Sequence, residues 1–378
     1  MKIIVAPNSF RDSLPAEFVS AYIIDGIRRV MPDATIIDLP LADGGDGTLS
    51  CMLRIFGGNI YSNQVQSPNG TPVNARFAVT SDKRIAIIEM AEASGARLVP
   101  VNERNPFHFS TYGTGELILA AMDLQVENIF LGIGGSGTID GGAGALAALG
   151  VKFLDSSGVV LPPTPCGLTT LNEIDTSGLD PRLQYIHIKV LCDVHTSFKE
   201  CLSRYGKQKG VKLEDAGKIQ EVLLRLASLA QKRGCDILKK PWLGAGGGLA
   251  GGLVAFANAS AVGGAEYLCG LAGVTSHLQH ADLLITGEGR FDKGSFQGKL
   301  PLTIAKLAAQ YKVATIIIAG QIIEQDVDNI PDIITLVNLA ESSMNIHEMM
   351  ADMPLRLSSA SEKIVRKAIG ETHLRLNS

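Results

Sequence analysis

Seven glycines, a serine, a threonine and one aspartate stand together in residues 132–144, GIGGSGTIDGGAG, directly after the apolar run Ile129-Phe130-Leu131. Glycine tolerates positive φ and has no Cβ, so successive N–H groups can turn toward one anion, helped by the positive end of a following helix. A structural crossover needs one or two glycines. Seven point to phosphate or nucleotide handling. A second loop, ADGGDGT at residues 42–48, sets Asp43 and Asp46 three residues apart on a glycine turn beside Thr48. These are hard oxygen donors of the kind magnesium takes, one or two carboxylates at a time together with phosphate oxygens. The same residues would also serve to cap a helix that starts near Thr48.

A third loop, GEGRFDKGSFQGKLP at residues 287–301, tempts a P-loop reading but has three residues rather than four between Gly294 and Gly298-Lys299. Leu300 stands where a P-loop needs Ser or Thr for its metal. What remains is a strand end that carries Glu288, Arg290, Asp292, Lys293 and Lys299, of which Glu288 and Asp292 are expected to face a ligand. Asp193 closes the apolar run of residues 188–192 and is placed equally well to accept a hydroxyl proton or to cap a turn. His195, close behind it, reads as a surface histidine. A rival reading comes from Gly132, Gly134 and Gly137, which match G-x-G-x-x-G, with Asp155 about 20 residues on, as in dinucleotide-binding folds. Asp140-Gly141-Gly142 then fall where the first helical turn should already be packed, so hydride transfer ranks second. No G-x-S-x-G is present, which sets nucleophile-elbow hydrolases aside.

To bring these loops together the chain needs strands that end at them. Apolar runs at residues 3–6, 34–39, 281–286, 314–319 and 333–338 alternate with helical patterns near 15–31 and 302–310. They predict an α/β fold with a parallel, doubly wound sheet assembled from both chain ends. The middle is then an insertion with its own strands at 73–79, 85–90, 151–154 and 186–192 and a helix near 216–234. The boundaries are expected near Ser67-Pro68-Asn69-Gly70 and near His280, giving residues 1–66 with 281–378 as one domain and 67–280 as the other. Ligands in parallel sheets bind beyond the carboxyl ends of the strands, which predicts an active site in the cleft between the domains.

Composition narrows the partners. The 378 residues suffice for about two domains, and 46% hydrophobic with 19% charged residues and 41 glycines describes a compact α/β enzyme. A net charge of −4 offers no basic field for nucleic acid. The six cysteines form no C-x-x-C pair and read as reduced, cytosolic thiols, so a cytoplasmic location is expected. The uncharged stretch at residues 243–265 is rich in Gly and Ala rather than Leu and Ile, which favours a close-packed helix of small residues over a membrane span.

Taken in order, MKIIVAPNSFRDSL, PLADGGDGT, YGTGELI, GIGGSGTIDGGAGALAALGVKFLD, LCDV, the QKG of residues 208–210, GAGGGLAGGL, DLLITGEGRFD and GKLP resemble the type 1 glycerate kinase family across nearly the whole chain. The resemblance implies a Rossmann-like domain interrupted by a second α/β domain, and phosphorylation of D-glycerate with ATP and Mg²⁺, in most bacterial members to 2-phosphoglycerate. The chain departs from the family pattern in functional loops. Arg11-Asp12 replace Lys-Gly, His195-Thr196-Ser197 replace Asn-Pro-Leu, YGKQKG replaces an FGPQKG-like stretch, and Gly137 and Ile139 replace Ala and Asn.

For such a kinase the N–H groups of Gly134, Gly135, Ser136, Gly137 and Thr138 would cradle the phosphates. Asp43, Asp46 and Glu288 are the candidate metal ligands. Lys209 or Lys299 would neutralise charge at the γ-phosphoryl. Arg11 with Ser9 and Arg290 would hold the glycerate carboxylate, and Asp193 or Asp292 would take the hydroxyl proton. A nicotinamide-dependent oxidoreductase and a non-catalytic glycerate or nucleotide sensor are the alternatives.

Overall fold

Strands Lys2–Val5 (β1), Thr35–Asp38 (β2), Leu283–Phe291 (β11), Ala314–Ile322 (β12) and Ile334–Asn338 (β13) form one all-parallel sheet in the order β13-β12-β11-β1-β2. These are the five apolar runs expected from the sequence. Ile3, Val5, Ile285 and Ile318 are buried from this sheet in a core shared with Val19, Ile23 and Ile27 of helix Ala16–Arg28 and Leu357 and Val365 of helix Met353–Leu376. The computed structural model describes residues 1–11, 13–323, 330–340 and 350–376, so Asp12 lies outside the described residues.

The strand expected to stop at Thr286 continues through Phe291, because β12 runs on beside it and pairs Glu288 with Ala319 and Arg290 with Gln321. Glu288 and Arg290 therefore stand on a strand rather than in a loop.

The second sheet has six strands, Asn59–Gln66 (β3), Pro72–Val79 (β4), Ile85–Glu89 (β5), Asn128–Gly132 (β6), His187–Cys192 (β9) and Ser260–Gly263 (β10), in the order β10-β9-β6-β5-β4-β3. The four strands β5, β6, β9 and β10 are parallel, while β3 and β4 add an antiparallel wing. Lys152–Leu154 (β7) and Glu173–Asp175 (β8) pair as a small antiparallel ribbon.

The chain divides into Met1–Asp43 with Ala265–Ser378, and Gly44–Gly264. The crossings thus fall at 43/44 and 264/265, not near 66 and 280. β3 forms a hairpin with β4, and helix Thr48–Phe56 contacts β5, so residues 44–66 belong with the second sheet. The glycine-rich stretch 243–265 is not one helix. It is a turn at Ala245–Gly248, a short helix Leu249–Phe256 and strand β10, whose Val262 pairs with Leu191. Among the described residues no helix is long and apolar enough to cross a membrane.

Candidate functional site

In the first unit the carboxyl ends of β1, β2 and β11 bring several predicted residues together. The loop after β1 is tied to both neighbours: Asn8 N donates to Gly287 O at 2.9 Å, and Leu41 N donates to Pro7 O at 3.0 Å. Asn8 Nδ2 then donates to Asp43 Oδ2 at 3.0 Å, and Asn8 Oδ1 accepts the Ser9 N–H at 2.8 Å. Asp43 is buried by this arrangement. Asn8 was not singled out from the sequence; its signal was the polar Asn-Ser pair that follows an apolar strand and a proline.

Glu288 is only 4% exposed, and its Oε2 lies 3.4 Å from Lys299 Nζ, while Oε1 is buried with no hydrogen-bond partner. Burial pushes its carboxyl up to about 7, against Lys299 and the Ser295 hydroxyl, with the like charge of Asp43 adding to the rise. For Lys299 burial disfavours the charge, yet Glu288, Asp43 and Asp292 together hold it above the ordinary lysine value. Lys299 is therefore engaged by a carboxylate within its own unit. Asp292 accepts the Gly294 N–H at 2.8 Å and lies 3.1 Å from Arg290 Nε, so these two residues also face each other. Arg11 is exposed on the first loop.

In the second unit β6 leads into the glycine loop, whose shape is fixed by close backbone contacts. Gly134 N donates to Gly44 O at 3.0 Å, Gly137 N to Ser94 O at 2.9 Å, and Ala96 N to Gly135 O at 3.0 Å. A Cβ on Gly134 would stand 2.4 Å from Gly45 Cα and 3.0 Å from an Asp193 carboxylate oxygen, so this position admits glycine only. Gly135 turns at φ +71°. The N–H groups of Gly135, Ser136 and Thr138 make no hydrogen bond to protein acceptors among the described residues. They are the donors available to an anion.

Beneath them lies Lys209, 8% exposed at the end of helix Cys201–Lys209, whose Nζ donates to Ser136 Oγ at 2.6 Å and to Thr138 O at 2.8 Å. Burial lowers its ammonium to about 8, against the favourable influence of Cys201, Asp193 and Asp140. Gly247, at φ +70°, supports the loop from the other side: its own Cβ would fall 2.0 Å from Thr138 O, and its carbonyl accepts the Gly141 N–H at 3.1 Å. This close approach explains the run of small residues at 244–252.

Asp140 does not face a ligand. It is fully buried and accepts from Thr111 N and Oγ1, both at 2.7 Å, and from Gly142 N and Gly144 N, both at 3.0 Å. Burial raises its carboxyl and these four donors oppose the rise. The helix after the loop starts only at Ala143 and spans six residues. Asp155 accepts from Ser157 N and Val159 N, at 2.8 and 2.9 Å, and so closes its own turn rather than waiting for a ribose.

The three predicted metal ligands divide between the two units. Asp43 and Glu288 influence each other, whereas Asp46 belongs to the second unit and lies 3.5 Å from Arg97 Nη1. Among the described residues no three His, Cys, Asp or Glu side chains converge. Glu89, which the sequence reading missed, is 8% exposed and its carboxyl is pushed by burial up to about 7. A charge that closes an apolar strand was its signal, as it was for Asp193.

Gly134→Ala should weaken nucleotide binding at least about tenfold and cost about 1–3 kcal/mol of stability, because the backbone of Gly45 cannot give way. Calorimetric titration with ATP checks this, and an unchanged Kd would return the loop to the status of a structural turn.

A family model described as the glycerate kinase family matches residues 3–368. The chain is 40% identical over 324 residues to a glycerate kinase of Halalkalibacterium halodurans, covering 85% of each. It is 40% identical over 326 residues to the glycerate 2-kinase of Escherichia coli K12, covering 85% of this chain and 86% of that one. A solved structure of a glycerate kinase 2 candidate from Salmonella typhimurium LT2 superposes with a TM-score of 0.82 at 36% identity and covers 99% of both chains.

Proposed function

We infer the reaction from membership: this chain belongs to the glycerate kinase family. It transfers the γ-phosphoryl group of ATP to D-glycerate, and the name of the Escherichia coli relative favours 2-phosphoglycerate as the product. The observation that carries the reading at the level of geometry is the glycine loop, which presents three N–H groups over a buried lysine.

Phosphoryl transfer asks a protein mainly for positioning and for compensation of charge on the equatorial oxygens. The N–H groups of Gly135, Ser136 and Thr138 bind the phosphates, and Lys209 stiffens that loop and adds a positive charge below it. Asp193, at the end of β9, accepts the glycerate hydroxyl proton as the oxygen bonds to γ-phosphorus and the bond to the β–γ bridging oxygen breaks, releasing ADP. Arg11, with Ser9 beside it, pairs with the glycerate carboxylate.

Asp43 and Glu288 fit a divalent cation, since a buried carboxylate oxygen without a partner stands near a second carboxylate. A magnesium ion bound there would supply charge neutralisation for the phosphates. Asp46 is a weaker candidate because Arg97 already answers its charge. The need for ATP as co-substrate supports a cytoplasmic location.

An assay coupling ADP release to D-glycerate, with phosphorus NMR of the product, tests the reading. Binding of ATP and glycerate without turnover would make the protein a sensor, and oxidation of a reduced nicotinamide would make it an oxidoreductase. Arg11→Met is expected to weaken glycerate binding by about 2–3 kcal/mol and to leave ATP binding unchanged, with Arg11→Lys recovering much of the loss. Unchanged glycerate KM alongside impaired ATP binding would move Arg11 to the phosphate side.

A further inference from the structure

We propose that Glu89 is a positioning residue for this reaction, a latch that fixes the turn of Asp46, Gly47 and Thr48 against the phosphate loop. The proposal rests on the kinase reading above. Glu89 closes β5 and stands opposite Gly132, the last residue of β6 before the loop. Its Oε1 accepts the Gly47 N–H at 3.1 Å and the Leu49 N–H at 2.8 Å. Those N–H groups belong to the start of helix Thr48–Phe56, whose own cap residue is Gly47 at φ +92° and brings no capping side chain. A helix start normally finds its acceptor in a neighbouring Ser, Thr, Asn or Asp. Here the acceptor comes from a strand more than a turn of sequence away, so the bond fixes one element against another.

The turn it holds is in contact with the phosphate loop. Gly44 O accepts from Gly134 N, and a Cβ on Gly132 would lie 2.9 Å from Gly44 O and 3.3 Å from Thr48 Oγ1. Thr48 Oγ1 in turn donates to Gly45 O at 2.7 Å, which closes the turn on itself. On the side of Asp46, Arg97 lies 3.5 Å from the carboxylate and binds Glu92 at 2.9 Å, and Glu92 also pairs with Arg76 at 3.0 Å. Asp46 is thus set from one side by an arginine relay and from the other by the Glu89 latch. Burial of Glu89 costs stability, with Asp46 and Glu92 adding like charge, and Arg97 and the Leu49 N–H opposing. A glutamate kept there serves the geometry of the turn.

The test uses the full chain and the variants Glu89→Ala, Glu89→Gln, Glu89→Asp, Asp46→Asn and the double variant Glu89→Ala/Asp46→Asn. Kinetic constants are read with melting temperatures and with calorimetric ATP affinity, with and without Mg²⁺. Glu89→Ala is expected to lower kcat about 100-fold and weaken ATP about tenfold, with glycerate KM within about twofold. Glu89→Gln keeps an oxygen at the same reach, accepts both N–H groups and recovers at least about tenfold of the loss, whereas Glu89→Asp keeps the charge, falls one methylene short and stays impaired. The double variant should lose clearly less than the product of the two single losses, as expected of residues acting through one turn.

A glutamine variant as impaired as alanine, a fully active aspartate variant, or losses that multiply in the double variant would each overturn the latch. Should Glu89→Ala fail to fold, the comparison of Gln with Asp still decides. Absence of glycerate phosphorylation in the wild-type protein would sink the kinase reading, while the order of ATP affinities among the variants would still judge Glu89.

Discussion

Lys209→Met is expected to lower kcat about 10³-fold, the scale on which a preorganised group that meets transition-state charge contributes. It removes the positive charge below the phosphate loop and leaves Ser136 Oγ and Thr138 O without their donor. The lost bonds cost about 1–3 kcal/mol of stability, so the variant should melt lower and still fold. A pH profile separates charge from packing. Burial lowers the Lys209 ammonium to about 8, so the cationic form predominates below that pH and is lost above it. kcat/KM for ATP should accordingly fall as pH rises through about 8. In Lys209→Arg the guanidinium stays charged across this range, and the alkaline limb should vanish at reduced overall rate. A limb that persists unchanged in the arginine variant would assign it to another group.

Asp43→Asn is expected to lose about 10²–10³ in kcat, the scale of a metal ligand in a phosphoryl-transfer site, and to require more Mg²⁺ for its residual rate. Its fold should survive, because an asparagine at 43 can still accept from Asn8 Nδ2. Glu288→Gln should behave differently. It loses comparable activity but also stability, since Lys299 would then hold a largely buried charge without its carboxylate partner. Melting curves with Mg²⁺ titrations distinguish the two. Full activity of Asp43→Asn at low Mg²⁺ would remove Asp43 from the metal site.

The parallel sheet was legible in the sequence because its strands are short, apolar and bounded by turn residues. Burial on both faces of β1, β11 and β12 leaves no alternation to confuse the pattern. β3 was not legible. Asn59–Gln66 is largely exposed and polar on this edge of the second sheet, and its pairing with β4 gives no local hydrophobic signal. That strand moved the boundary from 66 to 43. β10 was hidden for the opposite reason, since its four small residues merge with the glycine-rich stretch before it.

At the proposed site, glycine spacing marked out the loop after β6, and Asp193 and Glu288 stood out as acids that follow apolar runs. The partners of the charges were not readable. Lys299 with Glu288, Arg290 with Asp292, and Asp140 with the start of helix Ala143–Ala148 depend on distances that spacing along the chain does not encode.

The sheet of β1, β2, β11, β12 and β13 has a consequence for synthesis. β1 precedes β11, its neighbour on one side, by about 280 residues, and so leaves the ribosome well before it. Gly44–Gly264, continuous in sequence, can collapse around its own core while the amino-terminal strand waits. Folding from the middle of the chain outward would form the glycine loop before Glu288 and Lys299 have been translated. Until β11 is made, Ile3, Ile4 and Val5 can pair with β2 but lack the strand that covers their other edge, and such an open apolar edge is a site for aggregation.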